Sequence, residues 1–224
     1  MKKTQILFTC LLAFAMALSI NSYAQFGVRA GFGFNNATYK DMEYEDYTKM
    51  KTGFHVGVTY DITVADQFAV QPGLLFAVKG GKIKASSSEG TYSFTHSPYY
   101  LEVPINFIYK PVLGSGNLLL GGGPYVAYGV GGKWKEDDNG EKDNGSLEFI
   151  NDWDDESDDI DKVAYGKPFD AGLNLLAGYE LSNKLSFQLN AGLGLLNLMP
   201  KDGGEKPNSK MKNSGFSISI GYKF

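Results

Sequence analysis

The sequence predicts an all-β fold: an eight-stranded antiparallel transmembrane β-barrel preceded by a cleaved signal peptide. Three observations carry this expectation. Apolar and polar residues alternate with period two over most of the chain, the pattern of strands with one apolar and one polar face. The alternating segments number eight, and their connections are short and long in turn, as in outer-membrane barrels. Glycine and aromatics are abundant, with 28 Gly, 14 Tyr, 15 Phe and 2 Trp in 224 residues, which suits closely approaching strands.

The chain opens on an address. Lys2 and Lys3 precede an apolar run from Ile6 to Ile20, and Ser22-Tyr23-Ala24 fits a small-x-small cleavage site before Gln25. This divides the chain into a leader, 1–24, and a barrel domain, 25–224. The single cysteine, Cys10, falls in the leader, so the mature chain would have no disulfide, thiolate zinc site or cysteine nucleophile. No later stretch reaches 18 apolar residues, so no membrane helix follows.

The strands are expected at about 26–38, 51–62, 67–79, 99–110, 117–133, 169–180, 185–195 and 216–224. The last is the clearest: Phe216, Ile218, Ile220, Tyr222 and Phe224 face one way, and Ser217, Ser219, Gly221 and Lys223 the other. Short turns fall near Thr63–Asp66, Pro111–Gly116 and Ser182–Asn183. Long loops fall near Tyr39–Met50, Gly80–Pro98, Trp134–Pro168 and Met199–Asn213. Short turns on the periplasmic side put both termini there. Pro104 and Pro124 lie within strands and predict bulges, since each removes a ladder donor.

Three features favour lipid outside and polar residues inside. Aromatics collect at the strand ends, with Tyr60, Tyr109, Tyr179, Tyr222 and Phe224 in a lower girdle and Phe54, Tyr99, Tyr128 and Phe169 in an upper one. The opposite face is too polar for a dry core: Arg29, Asp61, Gln71, Glu102, Asn106, Asp170, Asn174, Glu180, Gln188, Asn190 and Lys223 all fall on it by parity. The chain also ends on an aromatic, which resembles the C-terminal signal read by the outer-membrane insertion machinery. In so narrow a barrel the inward carboxylates are costly alone. A polar network of Arg29, Glu102, Asp170, Glu180 and Lys223 is expected, with Arg29 and Lys223 as its cations and no open channel. The expected location is the outer membrane, and the expected partners are its lipid and the insertion machinery.

Several function classes are excluded. A net charge of -4 with no basic cluster argues against nucleic acid. Two histidines, His55 and His96, cannot form a His-x-x-x-His pair, and no phosphate loop, Gly-x-Ser-x-Gly elbow or other cofactor motif is present. His55 points inward by parity and reads as part of the packing network; the competing reading is a lipid-modifying barrel enzyme. His96 reads as a loop residue. The third long loop is acidic: from Trp134 to Gly166 it has 13 Asp/Glu and 3 Lys, a net of 3 − 13 = -10. Its densest part includes Asp152, Asp154, Asp155, Glu156, Asp158, Asp159 and Asp161. Such oxygens suit a divalent cation, but Asp159 stands where an EF-hand needs glycine. A solvated, extended loop is expected, with no resident metal.

Tyr99-Tyr100-Leu101-Glu102-Val103-Pro104-Ile105-Asn106-Phe107 resembles the "YLEIPI" strand of the PorT-like outer-membrane β-barrel family of Bacteroidota. Gly122-Gly123-Pro124-Tyr125 and Phe169-Asp170-Ala171-Gly172, with Gly178-Tyr179-Glu180, are similar to its next strands, and Phe26-Gly27-Val28-Arg29 to its start. The resemblance covers the mature chain. It implies an outer-membrane barrel and, as an alternative function, an accessory role in protein secretion; the residues themselves predict a structural or interaction role through the outer loops rather than an enzyme.

Overall fold

The computed structural model describes residues 24–40, 47–87, 90–156, 159 and 161–224. Eight long strands form the barrel: β1 (Ala24–Lys40), β2 (Lys51–Ala65), β3 (Phe68–Val78), β4 (Gly90–Tyr109), β5 (Gly116–Asp138), β6 (Phe169–Glu180), β7 (Leu185–Gly194) and β8 (Lys210–Lys223). Each pairs antiparallel with the next. β8 returns to β1 from Gly27↔Lys223 to Lys40↔Lys210. The ring therefore has no free edge, which is what hydrocarbon demands of a sheet. Residues 1–23 of the expected leader, Cys10 included, lie outside the described residues. Ala24 and Gln25 open β1 opposite Ile62 and Asp61.

The side chains are sorted inside out. Phe32 is 67% exposed and Leu175 69%, whereas Asp170 is 0% and Ser219 1%. The girdle expectation holds at both ends: Phe68 stacks on Tyr109 at 5.0 Å and Phe26 on Phe224 at 5.8 Å, while Phe76 meets Tyr99 at 5.7 Å at the other end. Such aromatic pairs suit the two lipid–water boundaries.

Pro104 and Pro124 bring no bulge. Pro72↔Ile105 and Leu75↔Glu102 share one register across the proline, as do Pro104↔Tyr125 and Phe107↔Gly122. Bonds drop out of the ladder while the register holds, because neighbouring strands fix it from both sides. The shift in this pair lies higher, between Tyr99 and Tyr100.

The long-loop end is more ordered than alternation in the apolar segments suggests. The expected loop 80–98 is largely a hairpin of a strand Gly81–Ser87 with the upper part of β4. In the expected acidic loop, β5 continues to Asp138, turns at Asn139-Gly140, and returns as a strand Glu141–Phe149. Both turn residues have positive φ, 54° and 96°, the geometry of a two-residue type I′ hairpin. A short 3-10 turn, Trp153–Asp155, and a strand Lys162–Gly166 complete the segment.

Candidate functional site

The lumen is the most distinctive chemistry in the molecule, and it is filled in tiers. At the short-turn end, Lys223 Nζ lies 2.5 Å from Asp61 Oδ2 and also pairs with Glu180. Lys110 pairs with the same Asp61, and Gln71 Nε2 donates to its Oδ1 at 2.5 Å. Two cations thus face two carboxylates. Above them Ile108, Leu119 and Leu176 form a small apolar plug. Alternation puts Leu118, Leu120 and Leu175 outward and so turns Leu119 and Leu176 in, but nothing in the sequence signals that the three apolar side chains meet at one depth.

The upper tier is built on Lys79, whose ammonium lies 2.6 Å from Glu102 Oε2 and 3.6 Å from Asp170 Oδ2. It also sits 4.4 Å from the centre of the Tyr125 ring, a cation–π contact that favours a desolvated charge. Asp170 accepts from Asn213 Nδ2 at 3.0 Å and from the Tyr125 hydroxyl at 3.3 Å. Arg29 donates to Gln188 Oε1 at 3.2 Å. The expected network therefore exists as two networks. Glu180 and Lys223 belong to the lower, Glu102 and Asp170 to the upper, and Arg29 bonds an amide. Among the described residues, Lys79 and Lys110 join Arg29 and Lys223 in the lumen and face Asp61, Glu102, Asp170 and Glu180. Lone charges at this depth would be expensive.

A cavity of about 90 Å³ lies beside the upper tier, bordered by Arg29, His55, Lys79, Glu102, Asn190 and Asn213. His55 Nε2 is 2.9 Å from Ser219 Oγ. Asn190 Nδ2 also donates to that hydroxyl, at 3.4 Å. A His–Ser pair is the start of a hydrolytic site; here Ser219 is 1% exposed on the inner side of the barrel wall.

The long-loop mouth is capped. Phe149 and Tyr165, from the acidic segment, pack edge-on at 5.6 Å, and Phe149 meets the Tyr100 ring at 5.4 Å. Leu198, Met199 and Met211 close the other side. His96, expected in a loop, is buried in β4 at 5.2 Å from Tyr165, because β4 extends inward-facing parity past Tyr100. The acidic segment is held to the fourth loop: Asp152 accepts from Asp154 N at 3.3 Å and from Gly204 N at 2.7 Å. Asp159 accepts from Asp161 N at 3.2 Å and meets Lys162 at 3.2 Å. These bonds hold the Asp159 carboxyl below its ordinary range. Among the described residues, no three carboxylates gather into a cation site, and Asp158 lies outside them. The remaining acids, Asp154, Asp155, Glu156 and Asp161, are exposed.

A closed sheet, apolar outside and ion-paired within, defines a membrane β-barrel. The sequence matches the family model of the outer membrane protein beta-barrel domain over residues 14–199, and the chain belongs to that family. No curated protein sequence matches it. Among solved structures, the outer membrane enzyme PagL is 12% identical with a TM-score of 0.43, over 86% of this chain and 98% of that one. Ail, the attachment invasion locus protein of Yersinia pestis, solved with the heparin analogue sucrose octasulfate, is 12% identical with a TM-score of 0.38, over 90% and 99%. Neisserial surface protein A is 13% identical with a TM-score of 0.42, over 90% and 99%.

Proposed function

We propose that this protein is a non-conducting, non-catalytic outer-membrane scaffold whose long-loop end displays a rigid sheet outside the cell, with both termini periplasmic. The observation that carries the reading is the filled lumen: two charge-balanced tiers, an apolar plug and an aromatic cap occupy it. The cavity of about 90 Å³ beside the upper tier has room for a few waters. The burial of Ser219 beside His55 supports the non-catalytic reading. The strand motifs around Glu102 and Asp170 support a place among the PorT-like barrels of Bacteroidota, for which an accessory role in secretion is the alternative. Partner subunits that stay bound through detergent extraction would favour that alternative.

The test is conductance together with topology. Full-length protein in planar bilayers is expected to give no unit openings, and discrete channels would overturn the scaffold reading. Asn139→Cys should react with an impermeant thiol reagent on intact cells and Asn183→Cys only after lysis; the reverse pattern would invert the orientation. His55→Ala should leave lipid acylation unchanged, whereas an altered lipid profile would make the barrel an enzyme.

A further inference from the structure

Beyond the ring, the strand Gly81–Ser87, the upper parts of β4 and β5, the strand Glu141–Phe149 and the strand Lys162–Gly166 form one continuous sheet. Residues paired across a ladder point to the same side. Lys82 stands beside Thr95, Lys135 and Asn144; Lys84 beside Ser93, Asp137 and Lys142; Ser97 beside Lys133, Ser146 and Lys162. Six lysines therefore share one face, against the carboxylates Asp137 and Glu148, a balance of 6 − 2 = +4. Lys49, opposite Lys82, extends the row at the sheet's edge. The other face carries Glu136, Asp138, Glu141 and Asp143 at its tip and Phe94, His96 and Trp134 lower down, against the cap. The strongly acidic count of this segment thus hides a separation of charge by side.

The lysine face is the lipid side carried upward. The same parity runs from the rung Leu101↔Tyr128, through Tyr99↔Gly131, to Ser97↔Lys133 and Thr95↔Lys135. Leu101 and Tyr128 are exposed, as residues facing hydrocarbon are. At about 3.3 Å per residue Lys133 and Lys135 stand about 7 Å and about 13 Å along the strand from the Tyr99 rung, or about 5 Å and about 10 Å above it at a strand tilt of about 40°. That is the height of the headgroup layer and just beyond it, and lysine stems can reach back down. Among the described residues, Lys142 reaches Asp137 at 3.9 Å and Lys162 reaches Asp159 at 3.2 Å, while Lys82, Lys84, Lys133 and Lys135 make no ion pair.

We propose that this lysine face binds the phosphorylated headgroups of the outer-leaflet glycolipid around the barrel. The lipid source is favoured over a soluble polyanion because the charge stands directly over the lipid-facing band, on the same side. The sheet would then lean on the membrane surface, with its acidic tip turned away. This rests on the long-loop end lying outside the cell, which labelling at Asn139→Cys reads separately.

The test uses the full chain in nanodiscs of neutral phosphatidylcholine containing a small fraction of bisphosphorylated lipid A, at 0.15 M salt. Lipid retained by the protein is compared for wild type, a Lys82→Gln/Lys133→Gln/Lys135→Gln variant, and the corresponding triple arginine variant. A basic residue near an anionic surface strengthens binding about 5-fold, so the glutamine variant should lose on the order of 100-fold. The arginine variant should keep the affinity, and dephosphorylated lipid A should bind wild type as weakly as it binds the glutamine variant. A heat-dependent gel shift verifies that each variant is folded. Equal retention by wild type and the glutamine variant would overturn the proposal, as would undiminished binding of dephosphorylated lipid A. A soluble sulfated polysaccharide that binds wild type, with no preference for phosphorylated lipid A, would also overturn it and assign the face to a soluble partner.

Discussion

Replacing Lys79 by methionine keeps most of the side chain's volume and removes its charge. The ammonium lies 2.6 Å from Glu102 and 3.6 Å from Asp170. With an effective dielectric constant of about 20, those attractions amount to about 6 and about 5 kcal/mol before desolvation. Desolvation of the three groups cancels much of this. Removing one member of a buried set nevertheless strands its partners, at a cost of about 3–5 kcal/mol. Lys79→Met should therefore lower the unfolding free energy by that amount. Urea titration of the refolded barrel in lipid vesicles, followed by Trp fluorescence, measures it. Adding Glu102→Gln removes one of the two stranded carboxylates, so the double variant should recover roughly half of the loss, about 2 kcal/mol. If Lys79→Met stays within about 1 kcal/mol of wild type, or Glu102→Gln worsens it, charge balance is not what holds the upper tier together.

Two further outcomes follow from the cap and the loops. A side chain at Gly129 would occupy the seat of the Phe149 ring, so Gly129→Leu should displace the cap at a cost of about 1–3 kcal/mol and admit faster amide exchange at Leu147 and Tyr165. At Asp152, slight desolvation works to raise the carboxyl's pKa, but the N–H groups of Gly204 and Asp154 outweigh it and hold the group below its ordinary range. A depressed carboxyl contributes above its unfolded pKa and stops contributing as pH falls through the folded value. Exchange at the Gly204 amide should accordingly be slow at pH 5 and accelerate below about pH 3.8, the ordinary value; exchange independent of pH-driven opening across that range would remove Asp152 from the docking of these loops.

The barrel was legible because lipid imposes one rule on every strand. Phe216, Ile218 and Ile220 must all face hydrocarbon, and the residues between them must turn in. That rule placed Arg29, Glu102, Asp170, Glu180 and Lys223 correctly on the inner side. It fails where the strand leaves the membrane. Lys79 follows the last residue of β3, its N–H donating to the Pro98 carbonyl at 3.1 Å; it closes the expected strand 67–79 and shares the inward parity of Gln71, yet the expected network left it out. Phe149 and Tyr165 sit in a segment whose charge conceals its period; the Asn139-Gly140 pair was the hairpin signal within it. His96 shares the parity of Tyr100 and Glu102, and only the unexpected length of β4 separates strand from loop. The split of the ionic residues into two tiers was not legible at all, since depth along the barrel depends on register between strands distant in sequence.

That split bears on how such a chain can be inserted. The lower tier draws Asp61 from β2, Lys110 from the turn after β4, Glu180 from β6 and Lys223 from β8. No hairpin of neighbouring strands contains a complete set. A partly assembled sheet would carry stranded charges into hydrocarbon, and a slip of two residues at the β8–β1 seam, which leaves every side chain on its proper side, would still part Lys223 from Asp61. The ionic tier therefore acts as a checksum on closure: it discriminates against mis-registered barrels that the apolar pattern alone would accept.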